Sequence, residues 1–435
     1  IGTRDLFRPD NIRSGDRELR IPIDSHGVPN EIRSKETWKV LDSHHLKVQN
    51  VAVELYRIAV AVYSADMLIL RNTAFDRWTR DIALYIPVSN VTLWQNVTER
   101  IQEFLSFLTG DHWIIHIREH KALRPAFDRN SWRKGKSLGH STVSLFSGGL
   151  DSFIGAVDAL SAGKGVILVG HYQEGFAKSA QTRVFNYLAG HFPPDQIDFL
   201  QFYICPPKAL TGEKEQSSRS RSFLFLTLGI LVASALADDV KLSVPENGFI
   251  GLNIPLTGTR LGSLSTRTTH PHTLHLFEKL IVELGIRIPV ETPYRFITKG
   301  EMLEQAKEQL FVRKYARDTL SCAHSSQARW DKKDPNKHCG YCVPCLIRRA
   351  AMHRAGLDSP EDYTYDVLNA LPSGERTTDV SAFLIALEHS KSRSLISSIL
   401  QSGPLHATST DIGQYLGVYE RGLREVADFL NERAW

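Results

Sequence analysis

Apolar residues recur along the first third of the chain with two different periods. Helical spacing at Val51–Leu68 and Val91–Leu108 lies on either side of a strand-like alternation at Arg80–Pro87, and a further apolar run follows at Trp113–Ile117. The pattern predicts an irregular arm followed by a small α/β domain, together spanning residues 1–135. The predicted role of this domain is to engage a partner or a substrate.

A polar stretch at residues 121–136 predicts a linker into a second unit, residues 140–320. In this unit, helical segments near 153–161, 179–190 and 218–236 alternate with apolar strands. The predicted strands are Thr142–Phe146, Val166–His171, Phe199–Ile204 and Val240–Val244. Such alternation predicts a parallel sheet covered on both faces, a Rossmann-like α/β fold with ligands at the carboxyl ends of the strands.

The last two predicted regions are a cysteine-rich module at 321–365 and a helical region at 366–435. Within the latter, Asp411–Leu416 and Tyr419–Leu430 have the lengths of a helix-turn-helix. Packing of these helices against the second unit is favoured over reading of DNA. The run His270–His275 is predicted to be a loop or a substrate gate and not a metal site, because proline interrupts it.

Composition excludes a membrane protein and predicts a cytoplasmic one. No run of 18 or more apolar residues exists, and the longest apolar stretch, Phe223–Ala237, suits a buried helix. The net charge of +4 is too weak a bias to require nucleic acid. A local basic cluster is predicted to face solvent or a partner in preference to RNA, and consists of Arg329, Lys332, Lys333, Lys337, Arg348, Arg349 and Arg354.

The segment Ser147–Ser152 joins a short apolar strand to a helix and contains a glycine pair. Gly148 and Gly149 permit positive φ and close approach of a ligand, and Ser147 and Ser152 add hydroxyl donors. Backbone N–H groups at a helix start favour an anion, so the segment predicts a phosphate cradle. Asp151 beside pyrophosphate suits a Mg²⁺ ligand or a residue that supports one. The alternative is a tight, well-capped turn.

Four of the five cysteines fall in one window: Cys322, Cys339, Cys342 and Cys345. Four thiolates complete a tetrahedral shell, and the Cys-x2-Cys steps favour a structural Zn²⁺ that stiffens a loop near the active site. An iron–sulfur cluster is the alternative.

Residues 140–365 resemble the 7-cyano-7-deazaguanine synthase (QueC-like) family of PP-loop ATP pyrophosphatases, which share an adenine nucleotide alpha hydrolase-like fold. The matching pieces are Ser147–Ser152, Arg221–Leu226, Glu246–Gly248, Thr292-Pro293 with Thr298–Glu301, and Ser321-Cys322 with Cys339, Cys342 and Cys345. The resemblance implies ATP, Mg²⁺ and Zn²⁺ as cofactors. It also implies catalytic roles for Ser147, Asp151, Ser152, Arg221 and Lys299. The implied ATP contacts, besides the cradle, come from Phe146, Leu150, Glu246 and Asn247, and from Val169, Gly170 and His171, which lie where relatives in the superfamily hold adenine. His171 is equally well explained as a structural histidine.

Two departures from that family concern the substrate. Ser222 replaces the usual asparagine, and the Tyr-Pro-Asp-Cys stretch is replaced by residues 251–272. The latter exchange resembles QueC-like proteins of bacterial anti-phage systems, notably the Qat type. The resemblance implies a 7-deazaguanine carboxylate, adenylated by ATP and joined to an amine of a partner protein. A nitrile-forming synthase and a tRNA-thiolating PP-loop enzyme remain alternatives, as does a PP-loop protein that binds without turnover.

Overall fold

A computed structural model describes residues 32–119, 140–173, 175–206, 218–236, 239–257, 267–324, 337–369, 377–391, 394–406 and 408–431, with a few isolated positions. The predicted linker and most of the predicted arm lie outside the described residues.

The N-terminal region has the α/β elements that its apolar pattern predicts. The elements are α1 (Glu36–Ser43), α2 (Asn50–Leu68), β1 (Asp81–Val88), α3 (Val91–Asn96), α4 (Thr98–Thr109) and β2 (His112–Glu119). Strands β1 and β2 pair in parallel, with α3 and α4 as the crossover. The single helix predicted at Val91–Leu108 is wrong in one respect, because the chain leaves helical geometry at Val97. Asn96, Val97 and Thr98 all have low helix propensity.

A five-stranded parallel sheet forms the second unit, as the alternation of strands and helices predicts. Its strands are β3 (Thr142–Leu145), β4 (Val166–Tyr172), β5 (Ile197–Tyr203), β6 (Lys241–Ser243) and β7 (Val290–Glu291), in the order β5-β4-β3-β6-β7. The chain builds outward from β3 to one side and then returns to its other side with β6. The crevice of such a sheet opens where the order reverses, between the carboxyl ends of β3 and β6.

Helices cover this sheet: α5 (Leu150–Ser161), α6 (Gly175–Ala189), α7 (Arg221–Ala233), α8 (Gly248–Gly251) and α9 (Pro271–Glu283). Helix α7 carries most of the longest apolar stretch and is buried along nearly its whole length, as predicted for a core helix. Among the described residues, no helix combines the length and apolar character needed to cross a membrane.

The hydrophobic core is continuous between the N-terminal region and the sheet. Tyr56 and Tyr63 of α2 belong to the same buried cluster as Val143 of β3 and Phe223 of α7. A buried carboxylate also joins the two regions, because Asp66 of α2 accepts hydrogen bonds from the backbone N (2.9 Å) and Oγ (2.7 Å) of Ser220. The N-terminal region therefore supports the start of α7. The exact domain boundaries stay a prediction.

The remaining helices are α10 (Lys299–Gln305), α11 (Gln309–Tyr315), α12 (Val343–Arg354), α13 (Thr378–Ser390), α14 (Leu395–Ser402) and α15 (Ser409–Asn431). The predicted helix-turn-helix is wrong, since α15 runs unbroken through Gly417 and Gly422. Gly422 is required by packing: a Cβ there would lie 2.3 Å from Cγ of Phe249. Helix α15 packs against α8, α10 and α12, as the favoured interpretation predicts.

Two further sequence interpretations need correction. The run His270–His275 is not a loop, because Pro271 begins α9 and the His270 ring accepts a hydrogen bond from the backbone N of His272 (3.1 Å). Proline is well tolerated at the first helical position. The basic cluster is not wholly a surface feature, because Arg348 and Arg349 are fully buried.

Candidate functional site

The turn Ser147–Ser152 lies at the switch point of the sheet, between the end of β3 and the start of α5. Gly148 has φ 79°, and a Cβ there would lie 3.0 Å from the backbone N of Gln181. A Cβ on Gly149 would lie 3.1 Å from the Leu320 carbonyl oxygen. Both positions therefore exclude larger residues, the first by its left-handed backbone and the second by space.

Backbone N–H groups of this turn are held by hydroxyls at long distances. Gly149 N donates to Ser147 Oγ (3.3 Å), and Leu150 N donates to Ser321 Oγ (3.4 Å). The Ser152 hydroxyl donates to the Gly149 carbonyl at 2.9 Å. Anions bind at helix N-termini through such N–H groups, so the geometry suits an anionic acceptor in place of the hydroxyls.

Asp151 is the centre of a buried polar cluster beside the turn. Its Oδ1 accepts from the Lys299 ammonium, and its Oδ2 accepts from Nδ2 (2.7 Å) and the backbone N (3.2 Å) of Asn247. Asn247 caps α8 through its side-chain oxygen, which accepts from Ile250 N at 3.0 Å. The cluster thus joins α5, α8 and α10 at one point.

The charges of the two carboxyls in this cluster differ. Burial would raise the pKa of Asp151, but the Lys299 charge and the hydrogen bonds from Glu246, Lys299 and Asn247 outweigh it, so the pKa lies below its usual value. Burial and then the charge of Asp151 raise the pKa of Glu246 to about 8. Asp151 is therefore ionised at neutral pH, while Glu246 keeps its proton and shares it with Asp151. A pair of carboxyls held in opposite states is typical of active sites.

Residues 169–171, predicted to hold adenine, lie at the end of β4. The Val169 carbonyl accepts from Phe146 N at 2.7 Å, and a Cβ on Gly170 would lie 2.7 Å from Gln181 Oε1. His171 is buried, and its Nε2 lies 3.1 Å from the Ile204 carbonyl. Because Arg221 Nε donates to His171 Nδ1 (3.3 Å), Nε2 carries the single proton.

Burial and the adjacent Arg221 charge lower the pKa of His171 to about 3. A neutral ring with both nitrogens bonded to protein matches the structural explanation of His171. Its contact with adenine stays a prediction. Arg221 itself is exposed at the start of α7, and its guanidinium contacts His171 at the end of β4.

The four clustered cysteines meet at one point. The Sγ atoms of Cys322, Cys339, Cys342 and Cys345 all lie within 4.8 Å of one another. Cys322 Sγ accepts from the backbone N of His324 and of Cys339, each at 3.3 Å. N–H groups directed at sulfur stabilise thiolates, and hydrogen bonds with the other three thiols lower the pKa of Cys339. This donor set suits one tetrahedral Zn²⁺.

The cysteine cluster is coupled to the glycine turn through Ser321, which lies in a segment that the sequence singles out, and through Leu320, which it does not. Ser321, next to Cys322, accepts from Leu150 N, and its own N donates to Nε2 of His338 (3.2 Å). Leu320 N donates to the Gly148 carbonyl at 2.8 Å. A metal at the cysteines would therefore stiffen one wall of the turn, as the sequence predicts.

Other contacts of the site were missed because the residues that form them lie far apart in the chain. Gln181 closes the turn from α6, donating from Nε2 to the His171 carbonyl (3.1 Å). Thr298 and Glu301 form a capping box at the start of α10, and the Ser/Thr-x-x-Glu spacing was a readable signal for it. Nothing in the sequence pattern marked Arg421 or Glu425, which contact that box from α15.

Comparison with known proteins supports a relationship over half of the chain. No family model matches the sequence, and no solved structure matches it. The chain is similar to 7-cyano-7-deazaguanine synthase 1 of Sphingopyxis alaskensis, with 27% identity over 249 residues, or 52% of this chain and 99% of that protein. This similarity, together with the parallel α/β sheet and the four-cysteine cluster, supports a distant relationship of the chain to a 7-cyano-7-deazaguanine synthase.

Proposed function

We propose that the chain is an ATP-dependent ligase of the PP-loop class that adenylates a 7-deazaguanine carboxylate and transfers the acyl group to an amine. The acceptor in this proposal is the N-terminus of a partner protein in an anti-phage defence system. The relative is named as a 7-deazaguanine enzyme, which supports the class of substrate. Residues 251–272 replace the Tyr-Pro-Asp-Cys stretch of the synthase family, which supports an acceptor other than ammonia.

The observation that carries the proposal is the position of the Asp151 cluster beside the glycine turn. A ligand seated on the N–H groups of Gly149 and Leu150 has a buried ammonium, Lys299, and an ionised carboxylate, Asp151, close by. Phosphate oxygens suit the N–H groups and the ammonium, and a carboxylate in such a place suits Mg²⁺. A site made only for a stable anion would not need the carboxylate.

In the proposed first step, a carboxylate oxygen of the substrate attacks the α-phosphorus of ATP. The bond to the bridging oxygen breaks, and pyrophosphate leaves with the electron pair. The turn, with Ser147, Ser152, Lys299 and Arg221, holds the departing charge. In the second step the amine attacks the acyl carbon, AMP leaves, and the amine loses one proton to give an amide.

Bound Mg²⁺ would neutralise phosphate charge in this scheme, and Asp151 and Glu246 are the carboxyls placed to hold it. Bound Zn²⁺ would be structural, since four thiolates complete its shell and leave no position for a substrate. The cysteines then act on the reaction only through Leu320 and Ser321, which contact the turn.

A nitrile-forming synthase that uses ammonia is the second candidate, and the name of the relative favours it. A primary amide from ammonia can be dehydrated by a second ATP, whereas a secondary amide with a peptide amine cannot. The tRNA-thiolating alternative gains less support, because two arginines of the predicted basic cluster are not accessible to RNA. Arg348 and Arg349 are buried and bond to other residues of the protein.

The proposal is tested by mass spectrometry of proteins encoded beside this chain, co-expressed with it and a 7-deazaguanine carboxylate source. An N-terminal mass increase equal to the acyl group supports the proposal, and Asp151→Asn should abolish it. Release of pyrophosphate with ammonia and a nitrile product would instead establish the synthase. Absence of pyrophosphate release with every acid and amine supplied would refute both.

A further inference from the structure

Helix α15 packs against α8 and α10, the two helices whose N-terminal ends contact Asp151. Arg421 and Glu425, one turn apart on the same face, contact the start of α10. Val418 and Gly422 lie against α8, where a Cβ on Gly248 would be 3.2 Å from Val418 Cγ2. Helix α8 begins after Asn247 and α10 begins with Lys299, and these are the residues that bond to Asp151.

The carboxylate of Glu425 is buried at the N-terminus of α10. Oε1 accepts from the Thr298 hydroxyl and from Arg354 Nη1 (2.8 Å), and Oε2 accepts from Gly300 N (3.3 Å). The two helices approach so closely that a Cβ on Gly300 would lie 2.7 Å from Glu425 Oε1. A carboxylate at this end of a helix is favoured by the helix dipole.

Arg421 holds the other half of the same capping box. Its Nε donates to Glu301 Oε1 at 2.5 Å, and its Nη2 donates to the Phe296 carbonyl at 2.8 Å. Glu301 Oε2 in turn accepts from Thr298 N at 2.8 Å. Every side chain that closes the start of α10 is therefore bonded to α15, so the place of Lys299 depends on a helix outside the sheet.

We propose that Glu425 is a positioning residue that acts through Lys299, fixing the first turn of α10 so that the Lys299 ammonium meets both Asp151 and bound nucleotide phosphate. This inference rests on the proposed function for the binding of a nucleotide and for the contact of Lys299 with its phosphate. It assigns α15 an indirect part in nucleotide binding, through the start of α10.

Glu425→Gln tests the inference because it keeps shape and removes charge. The amide cannot accept from Thr298, Gly300 and Arg354 as the carboxylate does, so the first turn of α10 loosens. Glu420→Gln is the matched control, since Glu420 lies on the same helix, is exposed and pairs only with Arg424 at 3.1 Å among the described contacts. Glu425→Asp keeps the charge on a side chain that is one methylene shorter, and its nucleotide affinity should lie between those of the wild type and Glu425→Gln.

The measurement is the Kd for α,β-methylene ATP with Mg²⁺, which needs no turnover. We expect Glu425→Gln to weaken binding about tenfold, as for loss of a charge-assisted hydrogen bond, and Glu420→Gln to leave it unchanged. In a Lys299→Met background, Glu425→Gln should add nothing, because the residue acts through that lysine. Arg421→Gln, at a partly exposed position, provides a second route if Glu425→Gln folds poorly.

Unchanged affinity in Glu425→Gln, or an equal loss with and without Lys299, would overturn the inference. Failure of the proposed function has a different signature: wild-type protein would bind the nucleotide and respond to Glu425→Gln but release no pyrophosphate with any acid. A wild type without nucleotide affinity would overturn both.

Discussion

Lys299 and Asp151 form a buried ion pair although 148 residues separate them in the chain. The pair brings the start of α10 against the start of α5, and it lies next to the turn that suits phosphate. An ion pair at such a place can hold charge ready for a ligand, because either partner can exchange part of its contact for phosphate or Mg²⁺.

Lys299→Met should reduce pyrophosphate release by about a hundredfold or more, because a cation aimed at transferring phosphate is lost. It should also lower the free energy of unfolding by about 3 kcal/mol, since Asp151 remains buried without its partner. Steady-state kinetics and urea unfolding measure the two effects. Lys307→Met, at an exposed lysine just beyond α10, is the control and should change neither.

Glu246→Gln should flatten the dependence of stability on pH. The raised pKa of about 8, against an ordinary 4.5, means that the folded protein keeps a proton that the unfolded chain releases in this window. The stability that this proton contributes is fully present below the unfolded-state pKa of 4.5. It is lost as the pH rises through the folded-state pKa of about 8.

The difference between wild type and Glu246→Gln should therefore change by about 3 kcal/mol between about pH 5.5 and about pH 8.5, with the variant gaining relative stability at high pH. Urea midpoints at the two pH values give the measurement. Parallel curves for the two proteins would show that Glu246 ionises normally.

Gly148→Ala should impair nucleotide binding more than its backbone strain alone explains. A left-handed backbone costs an ordinary residue about 1–2 kcal/mol, and the added methyl also meets Gln181 N at 3.0 Å. Gly163→Ala is a matched control, since Gly163 has φ 73° with open space around it.

We expect both alanine variants to lose stability in thermal unfolding, and only Gly148→Ala to lose affinity for ATP with Mg²⁺, by about tenfold or more. Equal affinities in the two variants would contradict the role of the turn as a cradle.

Cys345→Ser should remove the metal and loosen the glycine turn. Because a structural metal contributes folding energy, metal content should fall to near zero and the melting temperature should drop. Hydrogen exchange of the 147–152 peptide should rise, since Leu320 and Ser321 link the two sites. Cys205→Ser, outside the cluster, should leave all three unchanged. A colourless wild type with one zinc would exclude an iron–sulfur cluster, whereas visible absorbance would exclude the zinc assignment.

The sheet and the glycine turn were predictable because their signals are local. Strands such as Val166–Tyr172 are continuous apolar runs, as expected when both faces of a parallel sheet are covered. The spacing of the four cysteines in the sequence likewise predicted that their sulfur atoms would form one cluster. The carboxyl ends of parallel strands share one edge of the sheet, which is why Asp151 and Glu246, which follow β3 and β6, lie close together.

The residues of α15 that contact the start of α10 could not be predicted from the local sequence pattern. Glu425 lies on an amphipathic helix among other charged residues, and only packing distinguishes it from exposed Glu420. Helix α15 is also unbroken at its two glycines, and Gly422 is explained by its close packing against Phe249, which no local pattern marks. Pro271 was likewise taken as an interruption of the histidine run although it begins a helix.

Contacts that complete the site join segments separated by 127 residues for Thr298 and Glu425, and by 171 for Leu150 and Ser321. Contacts between such distant segments form late in folding. The chain must lose conformational entropy to close the long loop before the contact contributes favourable free energy. A nascent chain can therefore assemble much of its sheet while its catalytic groups are still apart. If the proposed function holds, affinity for the nucleotide should therefore appear only near the end of folding, once these distant segments have met.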